Sequence, residues 1–484
     1  MGPDRGHARD RSLTRIVRVV PNVPTFAVDG GFRYAVPDDL DGITLGSMVR
    51  VPLASRRTRG FVIEEGDGDP SSLRPVLGRV GDLPILSKGL MATMRWAAVH
   101  YVSPFSVMLS KAAPPNVPRR VAVTVRTPRG VRAPLEGWAD RDPGGRSPAQ
   151  YLVGGGPWGM AVAGLVAPVL TSGRPVAVVM PTVAEAHALA HVVSEALGVV
   201  AWMGTSAEPA AAVTRAWAAP VCAEGQLVVG TREIALWQLG GPGLVVVVEE
   251  GRAAMKSPQT PTVGVRDVVR RRSAAERFAT VLAGPVPTVE AIASGVEIHQ
   301  PATRTWPLVE VVDRAEEPPG SGVLLDATVR AVAAVVRGGG TVFVFVTRRA
   351  EAAFRCVSCG ALRTCAACGA AATGSPACRR CGAALGSCGE CGRSRFQALG
   401  AGAGRVMTEL ERRVRAAVAM VGEEAGSSRP AQVLVGTEAD LPAVGMVDLA
   451  VVVDADALVL APHYRAEEDA LRTLARVAAT VGRG

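Results

Sequence analysis

Four C-x-x-C pairs, crowded into residues 356–392, constrain this chain more than any other feature of its sequence. They hold eight of its nine cysteines, and a glycine follows each pair: Gly360, Gly369, Gly382 and Gly392. Two C-x-x-C turns together supply the four-sulfur tetrahedron that zinc prefers. Glycines suit such turns, because the residue after the second cysteine often needs a positive φ. The segment therefore predicts two closed, structural zinc sites.

Spacing alone leaves the pairing of the four turns open. The gaps between successive pairs are five, nine and six residues. Sequential pairing would close very short loops, nested pairing strains the chain less, and cross-braced pairing is not excluded. An iron–sulfur cluster is the alternative to zinc, although its ligand spacings usually differ. The ninth cysteine, Cys222, stands in an apolar context that predicts a buried, inert thiol.

The net charge of +9 is carried almost wholly by arginine. Such a balance favours a polyanionic partner, because arginine pairs bidentately with phosphate and releases counterions from nucleic acid. An ordinary solvated surface is the alternative. The sequence has no apolar run long enough for a membrane span, and its charged N-terminus does not resemble a secretory signal. We therefore expect a cytoplasmic protein with no membrane partner, where clustered cysteines favour metal over disulfides.

The hydrophobic pattern divides the chain into a β-rich part and an α/β part. Alternating β-branched residues over 13–64 predict a small β domain, followed by helical spacing that Pro104 interrupts. From Tyr151, continuous apolar strands alternate with amphipathic helices, which indicates parallel sheets covered on both faces. Two of these helices are expected over residues 266–284 and 407–422. The cysteine segment is an insertion within the second α/β unit.

Several phrases of the sequence resemble the PriA family of bacterial replication-restart DNA helicases. They are FRYAVPDDL, LGSMVRVPLASRRTRGFVIE, RWAAVHYVSPFSVMLSKAAPP, VFVFVTRRAEAAFRCVSCG and LAVVVDADALVLAPHYRAEEDAL. The resemblance implies an α/β fold: a small β-rich domain, two P-loop-helicase-like (RecA-like) lobes, and a binuclear zinc-ribbon module inserted in the second lobe. The implied boundaries are a disordered segment 1–12, a 3′-DNA-end-binding domain 13–115, a linker 116–147 without the family's winged helix, lobe 1 at 148–305, lobe 2 at 306–353 and 396–484, and the zinc module 354–395.

The resemblance also implies nested pairing of the cysteines. The first zinc would then be held by Cys356, Cys359, Cys388 and Cys391, and the second by Cys365, Cys368, Cys378 and Cys381. Several arginines within residues 355–395 make this module basic, which suits a DNA backbone or an acidic protein.

The family's ATP-binding motifs are altered in this chain. The P-loop pattern G-x-x-x-x-G-K-[ST] falls on GGGPWGMA, and the acidic DEEH motif falls on VEEG. The degenerate nucleotide site comprises Gly154, Gly159, Met160, Ala161, Val248, Glu249 and Glu250. Methionine and alanine cannot replace the lysine that neutralises phosphates or the hydroxyl that ligates Mg²⁺. The GSATPS-like motif reads AGPVPT at 283–288, and Thr480 replaces an arginine of the finger motif while Arg483 remains. These changes predict no catalytic residues and no useful ATPase.

Candidate DNA-binding residues lie in the N-terminal β domain. The family's 3′-end pocket falls on Phe32, Arg33 and Tyr34, where an aromatic ring can stack on a terminal base. Arg33 replaces an acidic residue there, and the alternative role of both aromatic residues is strand core. A phosphate-facing edge is predicted at Arg56 and Arg57, together with Arg50 and Arg59. The alternative is that these arginines form an ordinary solvated face.

These features predict a replication restart protein, a primosome component with two Zn²⁺ ions. It would recognise forked, 3′-ended or single-stranded DNA, contact primosome and replication proteins, and help to reload the replication machinery without helicase activity. One alternative is an active ATP-dependent 3′-to-5′ DNA helicase that tolerates the altered motifs. Another is a zinc-ribbon binding module that acts outside replication.

Overall fold

The structure is a computed structural model of the 484-residue chain. It describes residues 14–131, 149–300, 306–316, 322–347, 353–369, 372, 376–378, 380–399, 402–422, 431–461 and 463–482. They divide into two units, Met1–Gln300 and Pro301–Gly484. The prediction of disorder over 1–12, much of the predicted linker 116–147, Arg379 and Arg483 fall on residues outside the described ranges. The domain boundaries stay predictions.

The N-terminal alternation of apolar residues forms an antiparallel sheet, as predicted. Its strands are β1 (Thr14–Pro21), β2 (Phe32–Ala35), β3 (Met48–Leu53), β4 (Arg56–Gly68) and β5 (Gly78–Val80), in the order β2-β1-β4-β3-β5. One face packs a small core that includes Val17, Val49 and Val62. The other face is covered by α1 (Lys88–His100) and α2 (Phe105–Ala112), which Pro104 separates as the sequence indicates.

A seven-stranded parallel sheet forms lobe 1. Its strands are β6 (Gln150–Val153), β7 (Val176–Val179), β8 (Ala201–Gly204), β9 (Leu227–Gly230), β10 (Leu244–Val248), β11 (Ala279–Gly284) and β12 (Glu297–His299), in the order β12-β6-β11-β10-β7-β9-β8. Its helices are α3 (Gly159–Thr171), α4 (Val183–Leu197), α5 (Ala210–Cys222), α6 (Val265–Glu276) and α7 (Val289–Ala293). The fully buried β10, LVVVV, shows why a central parallel strand has no polar alternation.

One hydrophobic core joins the N-terminal domain to lobe 1. It includes Phe61 of β4, Met94 of α1, Met108 of α2 and the fully buried Trp217 of α5. The indole Nε1–H of Trp217 donates to the backbone carbonyl of Ala112, at 3.0 Å. Since the core and this hydrogen bond cross from one domain to the other, the two fold as a single unit.

Lobe 2 is a second parallel sheet, interrupted by the cysteine module. Its elements in chain order are α8 (Asp326–Arg337), β13 (Val342–Phe345), β14 (Ala353–Cys356), β15 (Phe396–Leu399), α9 (Ala403–Val414), β16 (Val418–Met420), β17 (Val433–Gly436), β18 (Leu449–Val452), α10 (Asp456–Val459) and α11 (Ala466–Ala478). The sheet order is β16-β17-β13-β18, and β14 pairs with β15 alone. The predicted α/β fold class, with a β-rich domain and two parallel RecA-like sheets, is confirmed. No helix within the described ranges is long and apolar enough to cross a membrane.

Two predicted helices are shorter than expected. The helix predicted over 266–284 ends at Glu276, and the one predicted over 407–422 ends at Val414. Arg277 and Arg415 follow these ends in the left-handed conformation, with φ of 59° and 57°. That conformation stops a helix and usually belongs to glycine, so an arginine at this position does not mark a helix end in the sequence. Strands β11 (Ala279–Gly284) and β16 (Val418–Met420) follow within the two segments.

Replacing Trp217 with phenylalanine is expected to lower the free energy of unfolding by about 2 kcal/mol, because the Ala112 carbonyl loses its buried donor. Urea denaturation followed by fluorescence measures this change. Trp306→Phe is the matched control, since Trp306 is 41% exposed and the loss should stay within about 0.5 kcal/mol. Equal losses in the two variants would contradict a joining role for Trp217.

Candidate functional site

The eight cysteines of the module form two clusters in the nested arrangement. Within each cluster all sulfur atoms lie within 4.8 Å of one another. The clusters are Cys356, Cys359, Cys388 and Cys391, and Cys365, Cys368, Cys378 and Cys381. The shortest Sγ–Sγ distances are 3.4 Å (356–391), 3.6 Å (359–388), 3.6 Å (365–381) and 3.7 Å (368–378). A zinc–sulfur bond of about 2.3 Å puts tetrahedral sulfurs about 3.8 Å apart, so both clusters fit a metal ion.

The glycine after each C-x-x-C pair has the positive φ that the sequence predicts. The values are +77°, +69°, +75° and +70° for Gly360, Gly369, Gly382 and Gly392. Each glycine N–H donates to the carbonyl of the first cysteine of its pair, at 2.8 to 3.0 Å. These turns hold both thiols of a pair on the same side of the chain.

Backbone donors favour the thiolate form of one cysteine in each cluster. The N–H of Cys359 is the main cause that lowers the pKa of Cys356 to about 6. In the other cluster, the N–H of Cys381 has the same effect on Cys378, whose pKa also falls to about 6. A metal binds the thiolate, so these donors favour the binding form of one ligand in each cluster, whereas contacts with neighbouring thiols raise the pKa of Cys359 and of Cys381 to about 12.

The module is closed by the β14–β15 pair, in which Cys356 lies opposite Phe396. The Arg363 guanidinium lies 4.6 Å from the centroid of the Phe396 ring and so caps the end of the module. Four further arginines of the predicted basic surface are exposed: Arg355, Arg380, Arg393 and Arg395.

The altered P-loop connects β6 to α3, and the side chain of Trp158, a residue of the loop, covers it. The Trp158 indole lies over the loop: a β-carbon on Gly154 would be 3.3 Å from the ring, and one on Gly156 would be 3.5 Å away. Gly159 begins α3, and Ala161 is the third residue of that helix. Met160 exposes 56% of its surface and carries no charge. No motif in the sequence indicates this role of Trp158.

The two glutamates after β10, Glu249 and Glu250, are buried and form ion pairs or hydrogen bonds with other residues of lobe 1. Arg252 Nη1 lies 2.7 Å from Glu185 Oε1 and 3.2 Å from Glu249 Oε2. Glu250 Oε1 accepts the backbone N–H of Thr288, at 3.0 Å. Val248, at the position of the metal-binding aspartate, is a core residue. An arginine therefore supplies positive charge beside the carboxylates that a nucleotide-bound Mg²⁺ would otherwise approach.

The degenerate finger motif also has a structural role where it is described. The Thr480 hydroxyl is buried and donates to the carbonyl of Val477, at 2.7 Å. In the same unit, Arg476 Nη1 forms an ion pair with Glu438 at 2.8 Å. These side chains stabilise the end of α11.

The structure separates the three predicted residues of the 3′-end pocket. Phe32 is 43% exposed and Arg33 is exposed, whereas Tyr34 is only 3% exposed. The Tyr34 hydroxyl donates to the carbonyl of Pro52 at 3.0 Å, and burial raises the pKa of this hydroxyl. Tyr34 is therefore a core residue that cannot stack on a base, which corrects its predicted role. Arg56 and Arg57, with Arg50 and Arg59, are exposed on β3 and β4.

Comparison with known proteins gives relatives for the N-terminal domain and for most of the chain. Residues 18–114 match the PriA family domain described as the 3′DNA-binding domain (3′BD). The probable replication restart protein PriA of Mycobacterium tuberculosis (strain ATCC 25618 / H37Rv) is 28% identical over 92% of this chain and 75% of its own length. The replication restart protein PriA of Treponema pallidum (strain Nichols) is 25% identical, over 70% of this chain and 56% of its own.

Solved structures with similar folds include helicases. RecG bound to a three-way DNA junction has a TM-score of 0.37 and 12% identity, over 72% of this chain and 40% of its own. A DEAD box protein from Methanococcus jannaschii has a TM-score of 0.34 and 10% identity, over 69% of this chain and 81% of its own. The sequence relatives show that most of this chain is similar to PriA proteins, at 25–28% identity, and that residues 18–114 match the 3′ DNA-binding domain of that family.

Proposed function

We propose that this protein is a cytoplasmic replication restart factor that recognises 3′-ended, forked DNA and helps to reload the replication machinery without hydrolysing ATP. The observation that carries the proposal is the 3′ DNA-binding domain over residues 18–114, whose candidate contact residues Phe32 and Arg33 are exposed. An exposed ring offers a face to a terminal base, and a neighbouring guanidinium offers charge to its phosphate. Primosome and replication proteins are the expected protein partners.

The absence of ATPase activity is proposed for two reasons. The P-loop lysine is replaced by Met160, and other side chains of the protein occupy the candidate nucleotide site. Met160 has no charge for a phosphate, and Trp158 covers the loop that would have to wrap around it. Arg252 binds Glu185 and Glu249 in an ion-pair cluster whose side chains are at most 13% exposed. A nucleotide would have to displace the indole and break a largely buried ion pair, without the usual lysine to compensate.

Zinc is the metal proposed for the two cysteine clusters. Four thiolates in a closed tetrahedral shell match its preference and leave no position for substrate. The ions would be structural, because the described residues 353–369 and 380–399 contain little hydrophobic core and are held together by turns that meet at the sulfurs.

Removing the Phe32 ring is expected to weaken binding to a recessed 3′ end about tenfold, the typical effect of losing one stacked base. Fluorescence anisotropy with a fork bearing either a free or a blocked 3′ end measures this. Phe26→Ala is the matched control, because Phe26 is 58% exposed in the same domain. Equal affinity for free and blocked ends in the wild type would refute 3′-end recognition.

Purified protein is expected to hydrolyse Mg-ATP no faster than buffer, with or without fork DNA, since Met160 cannot supply the positive charge of the P-loop lysine. A coupled ATPase assay checks this. DNA-stimulated turnover that Glu249→Gln abolishes would instead establish the active helicase.

Elemental analysis is expected to return two zinc ions per chain. Cys378→Ser should reduce this to about one, because a three-cysteine shell loses its closed tetrahedral coordination. Cys222→Ser is the control and should retain both ions, since Cys222 lies at the end of α5, outside the clusters. Fewer than two ions in the wild type would contradict the assignment.

A further inference from the structure

We propose that Arg50, Arg57 and Arg59 form a basic track that binds the phosphate backbone of DNA, at a site distinct from Phe32 and Arg33. The inference rests on the proposed function for the identity of its polyanion, and it adds a second contact surface to the 3′-end contact.

The strand register places the three arginines on one face of the sheet. Met48 of β3 lies opposite Phe61 of β4, and both belong to the core under α1 and α2. Side chains alternate along a strand, so Arg50 and Arg59, which lie opposite each other two residues further on, share that face. Arg57, opposite Pro52, continues it towards the hairpin.

The charges of β4 are segregated along the strand, and only one half is neutralised. In the acidic half, Glu64 pairs with Arg18 at 2.7 Å and Glu65 pairs with Arg15 at 3.3 Å. The basic half begins RRTR and faces another arginine across the ladder. Among the residues that the structure describes, the three track arginines have no hydrogen bond or ion pair from their side chains.

A pair of like charges directly opposite each other across two strands destabilises a sheet. Arg50 and Arg59 form such a pair, both are exposed, and folding alone gives no reason for them. An anionic ligand removes the repulsion. A phosphodiester chain, with charges repeated along its length, matches a row of guanidinium groups better than a single small anion does.

The track lies beside α2, which is fixed to lobe 1. The backbone N–H of Asn22 donates to the carbonyl of Arg59 at 2.7 Å, and Ser110 Oγ donates to Asn22 Oδ1 at 2.7 Å. DNA bound here would thus be held at a fixed position on the first unit.

The test compares two double variants that each remove two positive charges from the same sheet. Arg50→Gln/Arg59→Gln should weaken binding to fork DNA roughly tenfold at 150 mM salt and flatten the slope of log K against log[salt] by about 1.5, the effect of losing two phosphate contacts. Its melting temperature should be unchanged or higher, because a like-charge pair is gone. Arg15→Gln/Arg18→Gln, which removes arginines already paired with glutamates, should keep the wild-type slope.

An unchanged slope in Arg50→Gln/Arg59→Gln, or an equal change in both variants, would overturn the proposal. So would loss of binding to poly-L-glutamate without loss of DNA binding, since that result indicates an acidic protein partner. The slope is measured on blunt duplex as well as on forks. Failure of 3′-end recognition therefore leaves the track testable, and failure of the track leaves 3′-end recognition intact.

Discussion

The hydrophobic core around Trp217 is the constraint on which the first half of the molecule depends. It is shared by the N-terminal sheet, its two covering helices and lobe 1, and the indole is hydrogen-bonded across the junction. Because these parts share one core, the surfaces of β2, β3 and β4 keep a fixed orientation to lobe 1.

The two candidate ion-binding sites of this chain differ in how many of the expected ligands they contain. The cysteine module keeps every sulfur ligand, the turn glycines and the backbone donors that favour thiolate. In lobe 1 the lysine, the metal-binding aspartate and the hydroxyl are gone, and Arg252 now binds Glu249. A buried carboxylate needs a positive partner, so an internal arginine stabilises the lobe with no ligand bound. This contrast favours a protein whose remaining chemistry is binding.

Local patterns predicted much of this structure, and long-range contacts account for most of what they missed. The N-terminal strands, the break at Pro104 and the positive φ of the four turn glycines follow from residue type and spacing. Arg277 and Arg415 ended their helices without a glycine, so the sequence could not mark those ends. The ion pair of Arg252 with Glu185 joins residues 67 positions apart, which no local pattern reveals. The sequence could not decide between base stacking and strand core for Tyr34, because alternation shows which side chains share a face of the sheet but not which face is buried.

A replication restart factor that does not use ATP is expected to bind DNA independently of nucleotide. The most direct measurement is the dissociation constant for a fork with a recessed 3′ end, determined with and without saturating Mg-ATP. Linkage requires that any nucleotide bound in lobe 1 and coupled to DNA would change this constant. We expect the same dissociation constant under both conditions. A change of tenfold or more in either direction would contradict it.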